Sequence, residues 1–204
     1  FDEGTTTVTY VATDDNGNTA ECEFDVTIND TEDPIVLCPA DMNVNIDAGT
    51  CGALVTYAAP TVTDNCAAPT TPALDAGLAS GAIFPIGPTV NTYSSMDASG
   101  NTSSCSFTVA VTDNENPTIT CPGDVVVGSD LGNCYAIVAY NLPTVDDNCL
   151  GEVGPTLEVG GASGTVFVFG TATVTYSVVD AAANVNDCSF TVTVNDTEGP
   201  VLTC

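Results

Sequence analysis

An all-β chain of tandem sandwich repeats, each 83 residues long, is predicted by three features of the sequence. Apolar residues alternate with polar ones in short runs rich in valine, threonine and aromatic residues, which is typical of half-buried strands. Clusters of Asp, Asn and Gly separate these runs and favour tight turns. The ten cysteines recur at one fixed step along the chain. No stretch has a convincing helical period.

Within one repeat, the pattern predicts about seven strands. The alternation is clearest at 7–11 and 105–111, and the turn clusters fall at 14–18, 47–50 and 97–101. In the first complete repeat, the predicted strands are A near 41–47, B near 52–58, C near 72–78, one or two short strands around 80–86, F near 89–96 and G near 105–112. Short strands separated by frequent turns indicate a β-sandwich.

The repeat also divides the chain. Every cysteine has a counterpart 83 residues away wherever the chain reaches that far, and Tyr10, Tyr93 and Tyr176 keep the same step. Prolines at this step mark the joints: Pro34, Pro117 and Pro200. We therefore predict the C-terminal part of one repeat at 1–33, complete repeats at 34–116 and 117–199, and the start of another at 200–204. We expect this sequence to be a window on a longer array.

The charge is entirely of one sign. The chain has 27 Asp and Glu residues, no Lys, Arg or His, and a formal net charge of −27. Such a surface cannot neutralise phosphates, which argues against nucleic acid as a partner. Triads that use histidine and Schiff-base lysines are excluded as well. No run of 18 apolar residues occurs, so no membrane-spanning segment is expected.

Five motifs in fixed order resemble those of the HYR module, the hyalin repeat. In the first complete repeat they are Cys38-Pro39, Thr63-Asp-Asn-Cys66, Phe84-Pro-Ile-Gly87, Asp97-Ala-Ser-Gly-Asn101 and Cys105-Ser-Phe-Thr-Val109, and the second repeat carries the same series. The resemblance implies an immunoglobulin-like β-sandwich, an extracellular or cell-surface location, roles in adhesion and matrix, and no enzyme activity. Ala183 stands where Gly100 is expected, and Val168 replaces Pro85, so the turns of the second repeat are expected to differ.

The cysteines are expected to form disulfides, because zinc ligands cluster as Cys-x2-4-Cys and no such pair occurs. Four cysteines per repeat allow three pairings. The resemblance implies bonds between the Cys-Pro and Cys-x-Phe cysteines, and the other cysteines would then pair within each repeat: Cys38–Cys105, Cys121–Cys188, Cys51–Cys66 and Cys134–Cys149. The alternative joins Cys66 to Cys105 and Cys38 to Cys51. Cys22 and Cys204 are expected to have partners outside this sequence.

Acidic residues at the joints predict calcium sites. Strand polarity brings the joint, the B–C loop and the F–G loop to the same end of a repeat, and calcium accepts six to eight oxygen ligands in flexible geometry. Cadherin-like junctions follow the same logic, by analogy. The first predicted set is Asp30, Glu32, Asp33, Asp64, Asn65, Asp97 and Asn101, and the second is Asp113, Glu115, Asn116, Asp147, Asn148, Asp180 and Asn184. The competing interpretation is that these are solvated turn residues.

Two classes of function are compatible with this sequence. In the first, the chain is a segment of an extracellular fibre, stalk or adhesin, with calcium-stiffened joints between neighbouring repeats and with lateral copies of the chain as further partners. In the second, it is an array of glycan- or protein-binding modules attached to a larger surface protein or enzyme. The absence of Trp and the placement of Tyr and Phe at predicted core positions favour the first.

Overall fold

The computed structural model describes residues 1–66, 69–149, 151 and 153–203. The chain divides into two compact units. The first contains Phe1–Val44 and Leu54–Val111, and the second contains Asn45–Ala53 and Thr112–Cys204. Cys204, which was expected to pair outside this sequence, lies outside the described residues.

All regular structure in the described residues is β-strand, so the predicted all-β fold class is confirmed. The first ten strands are β1 (Gly4–Thr13), β2 (Thr19–Ile28), β3 (Ile35–Leu37), β4 (Met42–Asn45), β5 (Gly52–Val55), β6 (Thr61–Thr63), β7 (Ala73–Ala76), β8 (Ala82–Pro85), β9 (Gly87–Met96) and β10 (Thr102–Thr112). The remaining eight are β11 (Thr118–Thr120), β12 (Val125–Gly128), β13 (Tyr135–Val138), β14 (Thr144–Asp146), β15 (Val153–Val159), β16 (Thr165–Val168), β17 (Gly170–Val179) and β18 (Val185–Asn195).

The first unit is built on long antiparallel pairs. Strands β1 and β2 form a hairpin in which Tyr10 lies opposite Cys22. A second sheet has the order β4-β10-β9-β7, and β3 pairs with β6 beside it. In the β9–β10 pair, Cys105 lies opposite Tyr93. The ends of β3 and β6 matter for function, because Ile35 pairs with Thr63 and so brings the joint next to the loop after β6.

The second unit has the same plan. Its larger sheet has the order β12-β18-β17-β15, and β11–β14 and β13–β16 form two shorter pairs. Strand β12 runs parallel to β18, with Val125 beside Val192, while the other pairs are antiparallel. Thr118 pairs with Asp146, which brings this joint next to the loop after β14.

The core of the second unit lies between these sheets. Its buried residues come from alternate positions of four strands, as the period of two predicts: Ala136, Val138, Phe167, Val174, Tyr176, Phe190, Val192 and Val194. Tyr140 packs edge-to-face on Phe190, with ring centroids 5.0 Å apart, and its hydroxyl donates to the carbonyl of Gly161 at 2.6 Å. The half-buried Tyr140 therefore keeps a hydrogen-bond partner for its hydroxyl, as burial of a polar group requires.

Two details differ from the sequence analysis. Strands β3 and β6 were not predicted, because three residues are too few to show a period. Most Tyr and Phe residues were expected in a core from their repeat positions, but Tyr10 and Phe24 are 62% and 49% exposed and stack on each other at 6.0 Å. No helix in the described part of the chain has the length and apolar character needed to cross a membrane.

Candidate metal site

The turn between β9 and β10 is held together by Asp97. Its carboxylate accepts hydrogen bonds from the backbone N–H of Asn101 at 2.8 Å and from the Asn101 side-chain amide at 2.8 Å. Burial raises the pKa of Asp97, but the hydrogen bonds from Asn101, Gly100 and Ser99 outweigh that effect, and the pKa lies below its ordinary value. Asp97 is only 4% exposed, and its bonding capacity is largely used within its own turn.

The same turn occurs one repeat later. The carboxylate of Asp180 accepts hydrogen bonds from the backbone N–H groups of Ala182 and Asn184, both at 2.8 Å, and from the Asn184 amide at 2.7 Å. The expectation that the turns of the second repeat would differ was therefore wrong for this turn. The hydrogen bonds of Asp180 hold the backbone in place even though glycine is missing.

Each of these turns also holds the joint in front of its repeat. The side-chain amide of Asn101 donates to the backbone carbonyl of Asp30 at 3.3 Å, and the amide of Asn184 donates to that of Asp113 at 3.3 Å. The asparagines therefore connect the β9–β10 and β17–β18 turns to the joints. Asp97 and Asp180 support these asparagines, so their role in the structure is to position the joint.

Two pairs of aspartates meet at the joints. Ligand atoms of Asp30, Asp64 and Cys66 all lie within 4.8 Å of one another in the first unit. We call Asp30 and Asp64 the first acidic pair. The Asp30 carboxylate belongs to the joint, and the Asp64 carboxylate belongs to the β6–β7 loop. Strand polarity brings these two segments to the same end of the repeat, which explains why the two carboxylates meet.

The second acidic pair consists of Asp113 and Asp147, whose ligand atoms lie within 4.8 Å of each other and of Cys149. Asp113 is 6% exposed, and one of its oxygens accepts the backbone N–H of Glu115 at 3.0 Å. One oxygen of Asp147 and one of Asp64 are buried with no hydrogen-bond partner among the described residues. A buried carboxylate oxygen without a donor is costly, so these oxygens are the sites at which a cation would bring the largest gain.

The glutamates of the joints have other partners. Both oxygens of Glu115 accept the backbone N–H of Gly49, at 2.9 and 3.1 Å, and the amide of Asn148 donates to the carbonyl of Thr50 at 2.8 Å. Glu32, in contrast, accepts a hydrogen bond from the amide of Asn65. Asp33 and Asn116 are exposed. Of the predicted ligands, the structure thus brings the acidic pairs closest together, leaves Asp33 and Asn116 exposed, and gives the others structural contacts.

An open cleft lies beside the second acidic pair. It has a volume of about 500 Å³ and is lined by Glu115, Asn116, Thr118, Asp146, Asp147 and Asn148. Its polar groups are carboxylate, amide and hydroxyl oxygens, which are the hard donors that calcium prefers. The Cys149 sulfur is in a disulfide and is not a thiolate, so oxygen atoms must supply the ligands.

The structure contains three disulfides among the described residues. Cys38–Cys105 and Cys121–Cys188, the pairs that the resemblance implied, each have a Cα–Cα distance of 5.7 Å. The third bridge joins Cys51 to Cys149, with a Cα–Cα distance of 5.2 Å, and Cys66 and Cys134 are free. The predicted Cys51–Cys66 and Cys134–Cys149 bridges are therefore wrong, and so is the alternative that joined Cys66 to Cys105.

The predicted bridges within a repeat do not form because the two cysteines of each predicted pair lie at opposite ends of that repeat. In the second unit, Cys134 precedes β13 and lies beside Glu198, in the joint that follows the repeat. Cys149 follows β14 and lies beside Asp113, in the joint that precedes it. Strand polarity, applied to the turn before strand B, would have placed Cys51 at the following joint. Gly49, Thr50 and Cys51 were missed because only the joint, the B–C loop and the F–G loop were considered.

The profile of the HYR domain matches residues 1–28, 29–111 and 112–194. Hyalin from Strongylocentrotus purpuratus is 38% identical over 212 residues, a region that covers 97% of this chain and 17% of that protein. Hyalin from Lytechinus variegatus is 36% identical over 207 residues, covering 98% of this chain and 38% of that protein. The chain thus spans well under half the length of either relative.

More distant similarities also occur. The sushi, von Willebrand factor type A, EGF and pentraxin domain-containing protein 1 of Rattus norvegicus is 27% identical over 169 residues, 81% of this chain and 4% of that protein. Among solved structures, the protocadherin gamma B2 extracellular cadherin domains 1–5 superpose with a TM-score of 0.40 at 15% identity, over 96% of this chain and 47% of that one. That superposition is too loose to support an argument about function.

The disulfides fit an oxidising compartment, where such bonds persist. Together with the sequence relatives, they place the chain outside the cell or at the cell surface. With three profile matches over most of its length, the chain belongs to the HYR domain family.

Proposed function

We propose that this chain is a load-bearing segment of an extracellular fibre, stalk or adhesin, and that calcium stiffens the joints between its repeats. In this proposal, residues 34–116 and 117–199 are complete repeats, flanked by parts of two others at 1–33 and 200–204. The proposed role is structural and not catalytic. Laterally associated copies are further partners of such a fibre.

One observation carries the calcium proposal. Asp113 and Asp147 approach each other at the joint, Asp147 keeps a buried oxygen without a donor, and the chain offers no side-chain base to neutralise them. A buried and a half-buried carboxylate this close repel each other, and a cation between them would remove the repulsion. The first acidic pair repeats the arrangement with Asp30 and Asp64.

Calcium would be held by the acidic pair together with oxygens that line the cleft. Asp113 belongs to the joint and Asp147 to the β14–β15 loop, so an ion between them would connect two segments far apart in sequence. The joint would then bend less, because bending would require metal–oxygen contacts to be broken. The role of calcium in this proposal is therefore structural.

Calorimetric titration of the full chain with CaCl₂ tests the proposal. The parent should show two sites, one for each acidic pair, and Asp147→Asn should remove one of them while leaving the other. Asp187→Asn is the matched control, because Asp187 is an exposed residue on β18 that takes no part in either cluster. Absence of binding heat in the parent, or an Asp147→Asn titration identical to the parent's, contradicts the proposal.

Thermal unfolding gives an independent measure. Calcium at a hundred times its dissociation constant should stabilise the folded chain by about 2.7 kcal/mol per site, since it binds the folded state selectively. Sodium chloride at matched ionic strength separates this effect from charge screening. If both salts raise the melting temperature equally, screening alone explains the gain and specific binding is ruled out.

A further inference from the structure

The Cys51–Cys149 bridge connects two different HYR repeats. Cys51 lies in the match at 29–111 and Cys149 in the match at 112–194, and 98 residues separate them. One repeat length of 83 residues relates Cys51 to Cys134 and Cys66 to Cys149. Two of the three free cysteines among the described residues, Cys66 and Cys134, are therefore the counterparts of the two that are joined.

The turn that carries Cys134 already has the shape of the turn that carries Cys51. Asp130 donates its backbone N–H to Tyr135 at 2.8 Å, just as Asp47 donates to Gly52 at 2.8 Å. The backbone N–H of Gly132 donates to the carboxylate of Glu198 at 2.9 and 3.0 Å. That contact is the counterpart of the one between Gly49 and Glu115, so the receiving side of the bridge is preformed at Cys134.

The loop that carries Cys66 likewise matches the loop that carries Cys149. The backbone N–H of Cys66 donates to the Asp64 carboxylate at 2.9 Å, and that of Cys149 donates to Asp147 at 3.0 Å. The two differ in exposure. Cys149, with its partner in place, is 7% exposed, whereas Cys66 is an exposed free thiol. Cys66 and Cys134 are thus both exposed, and the backbone around each has the conformation seen at a bonded cysteine.

An open cleft of about 380 Å³ lies at Cys134, lined also by Gly132, Asn133, Asp196, Glu198, Gly199 and Pro200. At the equivalent place beside Cys51, the β14–β15 loop is seated, and Asn148 donates to Thr50 at 2.8 Å. The segment that fits this cleft is therefore the loop of another HYR repeat that is equivalent to the β14–β15 loop and carries an asparagine followed by a cysteine.

We propose that Cys134 and Cys66 each form, with an adjacent HYR repeat, the bridge that Cys51 forms with Cys149. Cys134 takes the cysteine at the Cys149 position of the repeat that follows, and Cys66 takes the cysteine at the Cys51 position of the repeat that precedes. Two thiols lose two protons and two electrons to oxidised glutathione, which yields one disulfide and two molecules of reduced glutathione. The array is then covalently stapled at every joint, whether or not calcium binds.

Two extended chains test the proposal. In the first, residues 39–121 are appended after Cys204, which keeps the repeat in register and places a second copy of Cys66 at the same separation from Cys134 as that between Cys51 and Cys149. In the second, residues 1–83 are duplicated in front of Phe1, which offers a copy of Cys51 to the native Cys66. Both are refolded in reduced and oxidised glutathione with EDTA, digested without reduction and analysed by mass spectrometry.

The expected products are Cys134 linked to the appended Cys66 and native Cys66 linked to the added Cys51. A matched control replaces the added cysteine by serine, and the native thiol should then be alkylated by iodoacetamide. The Cys51–Cys149 and Cys121–Cys188 peptides in the same digest verify folding. The proposal is overturned if, in digests that contain both peptides, Cys134 and Cys66 are alkylated without the serine change or are joined to other cysteines. Because EDTA is present throughout, this outcome is separate from that of the calcium titration.

Discussion

Ala183 has the left-handed backbone conformation that Gly100 has one repeat earlier, with φ of +70° and +93° respectively. Both residues lie in the five-residue turn that begins with a buried aspartate and ends with an asparagine. In the described chain, Ala183 is the one residue other than glycine with positive φ. An L-residue with a Cβ is strained there by contact with its own backbone. The second unit therefore contains a local strain that the first avoids.

Replacing Ala183 by glycine should relieve this strain. We expect Ala183→Gly to stabilise the second unit by about 1 kcal/mol, because Ala183 is exposed and its methyl group contributes little packing. Urea unfolding followed by circular dichroism measures the change.

The reciprocal variant provides the control. Gly100→Ala should destabilise the first unit by a similar amount, since an added Cβ meets nothing within 4 Å and only the backbone conformation opposes it. If neither variant shifts its unfolding midpoint, the hydrogen bonds of Asp97 and Asp180 determine the turn completely and backbone strain is negligible.

The bridge between Cys121 and Cys188 closes a loop of 67 residues in sequence separation. Chain-entropy theory gives such a loop a stabilisation of about 4 kcal/mol. Cys121→Ala combined with Cys188→Ala should therefore lower the free energy of unfolding of the second unit by about that amount, measured by urea titration without reductant. Cys22→Ala removes an exposed free thiol and should leave the midpoint unchanged. An equal midpoint for the double variant and the parent would contradict the expectation.

Much of the joint was predictable from strand polarity. Antiparallel order alone brought Asp113 and Asp147 together, because the end of β14 must return beside the start of β11. The asparagine at the end of each five-residue turn was correctly placed at the joint. The asparagine was predicted to be a metal ligand. Instead, Asn184 donates its side-chain amide to the backbone carbonyl of Asp113 in the joint.

The bridge between Cys51 and Cys149 was not predicted, although strand polarity places Cys51 at the joint that follows its repeat. Pairing within one repeat left Cys66 as the partner of Cys51 once Cys38 and Cys105 were paired, but the chain between Cys51 and Cys66 runs the length of the repeat through β5 and β6. A cysteine at one end of a repeat is closer to the next repeat than to the other end of its own. In tandem arrays, pairing must therefore be considered across the joint as well as within the module.

Uniform negative charge should make stability depend on salt. With 27 acidic residues and no basic side chain, repulsion opposes the compact state at low ionic strength. Raising NaCl from 0.01 M to 1 M shortens the Debye length from about 30 Å to about 3 Å. The melting temperature in EDTA should rise over this range and level off at high salt. Choline chloride should give the same gain if screening is the cause, and a flat or falling curve would refute this explanation.

The hydroxyl of Tyr57 lies 2.9 Å from that of Tyr93 and donates to the carbonyl of Leu78 at 2.6 Å. Burial, reinforced by the neighbouring Tyr93, raises the pKa of Tyr57 from 10.0 to about 12. The folded state therefore favours the neutral hydroxyl. Its stabilising contribution is complete below pH 10 and is lost as the pH rises from about 10 towards 12.

Urea unfolding at pH 8, 10 and 11.5 should show a steep loss of stability in the parent. Free thiols are alkylated beforehand, because thiolates exchange with disulfides at high pH. Tyr57→Phe should be about 1 kcal/mol less stable at pH 8, since a hydrogen bond is lost, but its stability should fall less steeply above pH 10. Tyr140→Phe should act in the same way on the second unit, where burial also raises the pKa of Tyr140. Parallel curves for parent and variant would show that Tyr57 does not control alkaline unfolding.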